Sequence, residues 1–431
     1  VDSISTVVDP VPGRSREPAR VERVSALAAF GVIALHVVDD NYLQPEAGTS
    51  AGEHLVSGVV PLAALVLIMA VYSRLRPGAR ASIALVVGVL GLAIGLGEGG
   101  YYTVNGGPSR DDYTGLLTIP AGLALIVIGV VLLWHTRRRD GTRLRRYGRR
   151  VLLALGAFLV LYVVVLPLSL SYVFTHAARA NVPEPQLGAE HENVSFTTSD
   201  GLRLSGWYVR SRNGAAVVVF PGRKGPQRQA RMLVRHGYGA LLFDRRGEGD
   251  SQGDPNIFGW EFDKDLEAAA AFLQRRPDVD PRRIGGLGLS VGGEALLQTA
   301  AESRAFKAVV SEGAGARSLR EDLELSGAGK WLELPQSLVI TAGTAIFSNA
   351  LPPASLRDLT PRIAPTPVFF IYARHGQGGE ELNPKYYAAA HEPKQLWQIP
   401  EGTHTGGIDA VPKEYERRVI GFFDRTLARR S

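Results

Sequence analysis

Ser290 stands in the run Gly288-Leu289-Ser290-Val291-Gly292-Gly293, after an apolar stretch at 284–289 and ahead of a helix expected from Glu294. A serine hydroxyl is a weak nucleophile until an adjacent base takes its proton and a carboxylate holds that base in place. A strand, sharp turn and helix with glycines on both sides of the serine is the context that presents Oγ at the tip of the turn, because a Cβ at either flank would clash. His404, in Glu401-Gly402-Thr403-His404-Thr405, follows the last expected strand, where the base belongs. Of the nine histidines, His36, His54, His135 and His176 fall in the apolar N-terminal half, and His191 and His236 precede the nucleophile without a strand-end position. His375 and His391 remain as rivals. For the acid, Glu380 and Glu381 follow the stretch 368–373, and neighbouring residues cannot both aim inward. Glu380 is preferred, Glu381 is the alternative, and Glu312 at the end of 308–311 is a third possibility. Acyl transfer also needs two backbone N–H groups for the developing oxyanion. Val291 supplies one, and the loop Pro221-Gly222-Arg223-Lys224-Gly225 supplies the other, from Arg223, with Gly222 allowing close backbone approach.

These residues need a scaffold that brings distant strand ends together. Alternating apolar positions at 194–198 and 202–209, around the turn Ser199-Asp200-Gly201, predict a hairpin. Buried-strand runs follow at 216–220, 240–243, 284–289, 308–311 and 368–373, with a weaker one at 395–399, and amphipathic helices between them are clearest at 263–276 and 413–428. This alternation predicts an α/β fold with a mostly parallel sheet, helices on both faces and a site at the carboxyl ends of the strands.

The run Phe243-Asp244-Arg245-Arg246-Gly247-Glu248-Gly249-Asp250-Ser251-Gln252-Gly253, the turn at Ser290, the acid at Glu380 or Glu381 and His404 together resemble the α/β-hydrolase superfamily. The resemblance is to serine hydrolases of the dienelactone-hydrolase, prolyl-oligopeptidase and depalmitoylase-like kinds, and covers about 194–427. It departs from the usual pattern in carrying Pro221-Gly222 for His-Gly and Glu for Asp as the acid. Asp244, Gly247 and Gly249 read as loop architecture. The resemblance implies a Ser-His-Glu triad, an acyl-enzyme intermediate and no cofactor. A dinucleotide fingerprint, a Gly-Lys-Ser/Thr phosphate loop and a His-Glu-x-x-His zinc helix are all missing from the sequence, and zero cysteines exclude disulfides, thiolate metal sites and a cysteine nucleophile. An insertion at 313–365, with a helix-like 318–325 and apolar Trp331, Leu332, Leu334, Leu338, Val339, Ile340, Ile346 and Phe347, reads as a cap over the pocket and points to an apolar acyl group.

The chain has 431 residues, 45% hydrophobic and 21% charged. Its mean hydropathy of +0.02 hides two different halves. Uncharged apolar runs at 24–38, 55–73, 82–97, 115–134 and 151–175 predict five transmembrane helices, the first and third of them short against the ~20 residues a bilayer core needs. Basic residues cluster before the first run (Arg14, Arg16, Arg20, Arg23), after the second (Arg74, Arg76, Arg80) and after the fourth (Arg137 through Arg150). Acidic residues dominate the first connection (Asp39, Asp40, Glu46, Glu53) and the third (Glu98, Asp111, Asp112). The positive-inside rule then puts the tail 1–23 in the cytoplasm and the C-terminal domain outside it, after a linker at 177–193. Few polar groups lie inside the runs (Thr118, Ser169 and a terminal His36), so the region 24–176 reads as an anchor. The net charge of +6 is mostly this loop arginine, with anionic headgroups as its partners and no nucleic acid expected. The expected substrate is a small-molecule or lipid acyl ester or thioester. A serine peptidase is the rival enzyme, and a catalytically idle membrane protein with a binding domain is the rival outside enzymes.

Overall fold

A computed structural model of the chain describes residues 17–97, 112–135, 142–176, 182 and 184–428. The expectations on Arg14, Arg16, Arg137, Arg138, Arg139, Glu98 and Asp111, and residues 177–181 and 183 of the linker, lie outside those residues. The chain divides into two compact units, Val1–Gln44 with Ser57–Ser169 and Pro45–Val56 with Leu170–Ser431.

The first unit is helical. Helices α1 (Glu17–Val38), α2 (Leu55–Tyr72), α3 (Pro77–Gly95), α4 (Asp112–His135), α5 (Arg143–Val160) and α6 (Leu166–Thr175) follow in order, with π-helical turns at Asp39–Leu43 and Leu161–Val165. Among the described residues, five helical stretches are long and apolar enough to cross a membrane: Ala19–Leu43, Leu55–Tyr72, Pro77–Gly95, Tyr113–His135 and Arg143–Thr175. The run at 24–38, short as sequence, is thus part of a 25-residue stretch. The longer helices also take in charge that the apolar runs left out. Glu22 of α1 accepts from Arg80 at 2.6 Å and from the Tyr72 hydroxyl at 3.1 Å, so two charged groups are neutralised within the bundle. At the other end of α1, Thr114 donates to Asp39 at 2.8 Å and lies 3.1 Å from His36 Nδ1. The region therefore carries more internal polarity than a plain apolar anchor.

Close packing of α3 on α4 depends on glycine. A Cβ placed on Gly88 would fall 2.9 Å from the Gly122 carbonyl oxygen, and one on Gly122 would fall 2.6 Å from that of Gly88. Small residues at such crossings let backbones approach where lipid offers no hydrophobic drive for association. Ala26, Phe30, Ile33, Tyr72, Ala84 and Leu125 belong to one buried apolar cluster of this unit.

The second unit holds one eight-stranded sheet in the order β1-β2-β4-β3-β5-β6-β7-β8. The strands are β1 (Glu192–Thr197), β2 (Arg203–Val209), β3 (Ala216–Phe220), β4 (Gly239–Phe243), β5 (Ile284–Leu289), β6 (Ala308–Glu312), β7 (Val368–Ala373) and β8 (Lys394–Ile399). β1 and β2 pair antiparallel, β2 joins β4 antiparallel, and every later pairing is parallel. This is the α/β-hydrolase architecture expected. The central strands are buried on both faces because helices cover both sides, which is why they read as unbroken apolar runs. The helices are α7 (Gln227–Arg235), α8 (Phe262–Gln274), α9 (Val291–Glu302), α10 (Leu319–Glu324), α11 (Lys330–Phe347), α12 (Leu356–Leu359), α13 (Asn383–Ala389), α14 (Gly407–Ala410) and α15 (Pro412–Thr426). The insertion at 313–365 contributes α10, α11 and α12.

One segment of this unit comes from far upstream. Gly253 N–H donates to Ala47 O at 2.9 Å, His54 Nε2 lies 2.9 Å from Asp254 Oδ2, and Val56 N–H donates to Asn349 Oδ1 at 2.9 Å. The connection between α1 and α2 therefore belongs to the sheet domain, a placement the sequence reading, which began the domain at 194, did not anticipate.

The backbone contact between α3 and α4 sets a stability prediction. Gly88→Leu should lower the thermal midpoint of the full chain in detergent, by the equivalent of about 1–3 kcal/mol for overpacking. Gly156→Leu, where nothing lies within 4 Å, should leave the midpoint close to wild type.

Candidate active site

Ser290 joins β5 to α9 with φ +51° and ψ −126°, a conformation that L-residues seldom adopt. The glycines around it are required sterically. A Cβ on Gly288 would fall 2.3 Å from the Gly292 carbonyl oxygen, and one on Gly292 would fall 2.8 Å from that of Phe220. Ser290 N–H donates to Glu312 O at 2.8 Å, which ties the turn to the end of the neighbouring strand β6.

His404 arrives on the loop between β8 and α14, and Glu380 on the loop after β7. The Ser290 Oγ lies 2.9 Å from His404 Nε2, and His404 Nδ1 lies 2.5 Å from Glu380 Oε1. Glu380 is 1% exposed, and its second oxygen accepts Ala373 N–H at 2.8 Å. One carboxylate oxygen therefore faces the imidazole while the other anchors to the strand end. The hydrogen bond to Glu380 raises the His404 pKa; burial opposes it, and the charges of Glu380, Glu294 and Glu312 add to the rise.

The three glutamates have different surroundings. Glu381 turns outward and its carboxylate accepts from Ser326 N–H at 2.5 Å and Ser326 Oγ at 3.0 Å, so it clasps the insertion beside α10. Glu312 is buried and accepts Gly407 N–H at 2.9 Å and the Tyr415 hydroxyl at 2.6 Å. It thereby holds the backbone just beyond His404, with its own pKa raised by burial against those two donors. His375 and His391 are exposed, and it is His404 that meets Ser290 Oγ. The supports of Glu312 and Glu381 are long-range bonds, and no local pattern in the sequence announces them.

On the oxyanion side, Val291 opens α9, where a backbone N–H has no partner within the helix. Gly222 takes φ +70° after a cis Phe220–Pro221 bond. Arg223 departs from its expected role. Its N–H points to Asp244 Oδ1 at 3.3 Å, and its guanidinium is bound by Asp244 and Asp250 and lies 5.0 Å over the Trp207 ring. The carboxylate at the end of β4 competes for this N–H, so Arg223 braces its loop and is not presented as a free donor.

The base of the insertion is stitched to the loop carrying the acid. Ala316 N–H donates to Gly378 O at 2.8 Å, Asn383 Nδ2 donates to Ala314 O at 2.7 Å and Glu380 O at 2.9 Å, and the Tyr386 hydroxyl donates to Gly315 O at 2.8 Å. Among the described residues, no group of three or more His, Cys, Asp or Glu side chains has an arrangement that could hold a metal ion.

The raised His404 pKa has opposite consequences for activity and stability. A general base must be neutral, so kcat/KM is expected to rise with pH along a limb centred above the ordinary 6.5 of histidine. The pairing stabilises the fold fully below 6.5, and that contribution is lost as pH rises through the folded-state pKa. Glu380→Gln should move the limb down toward 6.5 and lower kcat by about 10²–10⁴. Glu381→Gln should leave the limb where it is, and a pH–rate profile of the two variants separates them.

Comparisons with known proteins agree with this architecture. Residues 175–358 match the family model described as X-Pro dipeptidyl-peptidase (S15 family), a span that contains Ser290 and ends before Glu380 and His404. The YfhR protein of Escherichia coli O157:H7 is 27% identical over 246 residues, 54% of this chain and 80% of that protein. The thiohydrolase aneE of Aspergillus aculeatus is 31% identical over 132 residues, 28% of this chain and 41% of that protein. The solved structure of the Pyrococcus furiosus esterase Pf2001 is 22% identical, covers 59% of this chain and 100% of its own, and superposes with a TM-score of 0.49. Among the described residues, the chain thus joins five long apolar helical stretches to a domain with the α/β-hydrolase fold.

Proposed function

We propose that the protein is a membrane-anchored serine hydrolase that cleaves an acyl ester or thioester through Ser290, His404 and Glu380. The observation carrying this reading is the unbroken hydrogen-bonded chain from Ser290 Oγ through both ring nitrogens of His404 to a buried carboxylate. In it, His404 Nε2 takes the Ser290 proton as Oγ attacks the acyl carbonyl carbon. Glu380 holds Nδ1–H and stabilises the imidazolium. The oxyanion of the tetrahedral intermediate is stabilised by donors that include Val291 N–H. Collapse expels the alcohol or thiol, which leaves with the proton from His404, and the acyl group stays on Ser290. Water, deprotonated by the same nitrogen, then releases the acid and restores the serine.

A thioester is within reach because aneE, a relative over part of the domain, carries the name thiohydrolase. A second reading, a serine peptidase, is favoured by the family match at 175–358. The two readings share the acyl-enzyme and differ in the leaving group.

The proposed orientation has the N-terminus in the cytoplasm and the hydrolase domain outside it. It is supported by the connection Pro45–Val56, which is part of the same unit as the domain. Four of the five apolar stretches lie between that connection and the domain, and an even number of crossings returns the chain to the same side. The acidic character of the connection fits the outer face.

A fluorophosphonate probe should label the wild type, and Ser290→Ala should abolish labelling; equal labelling of both would remove Ser290 as nucleophile. With p-nitrophenyl esters of rising chain length against a proline-containing peptide amide, the ester reading expects kcat/KM to be higher for the esters by at least about tenfold, or roughly 1.4 kcal/mol in the barrier. Protease added to cells with an opened outer envelope should cut the C-terminal domain. Cleavage only after membrane lysis would reverse the orientation.

A further inference from the structure

The insertion that follows β6 contains a surface whose chemistry does not suit water. α11 is an 18-residue helix, and only Gly343 and Thr344 in it are buried. Its charges, Lys330 and Glu333, sit in the first turn, where Lys330 Nζ donates to Leu323 O at 2.8 Å and Leu325 O at 2.9 Å. Beyond Glu333 the helix carries no charge. Trp331, Leu338 and Ala342, spaced by seven and four residues, fall on one outward stripe, and Leu332 flanks it. Trp331 is 62%, Leu332 70% and Leu338 50% exposed. Large exposed apolar side chains repeated along one side of a helix point to an interaction site.

The contacts on another face of α11 identify the partner. Ser171 Oγ donates to Ile340 O at 3.1 Å, and the Tyr172 ring meets the Phe347 ring edge-on at 5.3 Å. Ser171 and Tyr172 belong to the last turns of Arg143–Thr175, an apolar helical stretch long enough to cross a membrane. A helix held against the end of such a stretch sits where the chain leaves the hydrocarbon. The same turns also support the wall of the active site: Ile257 N–H donates to Phe174 O at 3.0 Å, and the Phe174 and Phe258 rings meet at 5.4 Å. The next residue, Gly259, is so close to the nucleophile turn that a Cβ on it would lie 3.3 Å from Val291 Cβ.

We propose that the outward stripe of α11, centred on Trp331 and Leu338, is a lipid-binding surface that lies in the headgroup and acyl boundary of the membrane crossed by the last apolar helix. The occupant is the bilayer itself. Interfacial helices of this character bury an uncharged face about 5–10 Å into that boundary, with Trp at the edge. The proposal rests on reading the apolar helices as membrane spans, and deepens the proposed function by making acyl chains in the outer leaflet the nearest substrate pool to Ser290.

The absence of cysteine permits a direct test in the full chain. Leu338→Cys and, as a control, Arg282→Cys, whose native side chain is 83% exposed, are labelled with an environment-sensitive nitrobenzoxadiazole group. The proteins are reconstituted into phosphatidylcholine vesicles with the hydrolase domain outward. Doxyl-labelled phosphatidylcholine should quench the label at 338 at least about threefold more than that at 282, and aqueous iodide should show the reverse order, as expected for a probe in the interface. Iodide quenching at 338 equal to that at 282 would overturn the proposal. Shielding at 338 from both quenchers would overturn it as well, assigning the stripe to a protein partner or a second copy. Fluorophosphonate labelling of the same cysteine variants reports on Ser290 separately, so failure of the lipid surface and failure of the hydrolase reading give different results.

Discussion

The contact between His404 Nδ1 and the buried Glu380 carboxylate is the constraint on which the rest of the site depends. A carboxylate removed from water is costly unless its oxygens are satisfied, and here one takes the imidazole and the other the Ala373 N–H. Satisfying both requires the loop after β7 to fold back on the end of its own strand and to meet the loop after β8. Asn383 fastens the Glu380 loop to the start of the insertion, and Glu312 fastens the His404 loop to the end of β6. The strained turn at Ser290 is held by the same strand end through Glu312 O. A frame of this sort holds the imidazole in line with the Ser290 hydroxyl, the kind of positioning by which the proposed hydrolysis would lower its barrier.

The parts of this arrangement that were legible in the sequence are those encoded by local chemistry. Strands β3, β5 and β7 begin and end where their apolar runs do, because both faces of each strand are covered and every position must be apolar. The glycines at 288 and 292 announce a turn because the clash they avoid is with backbone two to four residues away or with the adjoining strand. Between Glu380 and Glu381 the sequence carried a preference for Glu380 but no local feature to fix it. Two adjacent glutamates have the same chemistry, and only the position of Ser326, some fifty residues upstream, directs the second one outward. Arg223 illustrates the same limit, since a carboxylate at the end of another strand captures the N–H that its loop position appeared to leave open.

In the helical unit, apolar runs located the helices but misjudged their ends. A run stops at its first charged residue, whereas a helix continues if that charge finds a partner. Glu22 and Arg80 satisfy each other across α1 and α3, so both helices extend past the limits that composition drew. Neutralised pairs of this type leave no mark in a count of hydrophobic residues. They are costly to break, because removing one partner strands the other charge.

The docking of Pro45–Val56 onto the hydrolase domain has a bearing on how this protein is divided. The domain is discontinuous along the chain: a dozen of its own residues are delivered from between the first two helices. A truncation at the linker would therefore yield a fragment with an uncovered strip along Gln252, Gly253 and Asp254, lacking the Ala47 carbonyl and the His54 ring that meet it in the whole molecule. The helical region and the sheet domain are in this respect not exchangeable cassettes, and inheritance of one without the other would leave a seam that must be repaired.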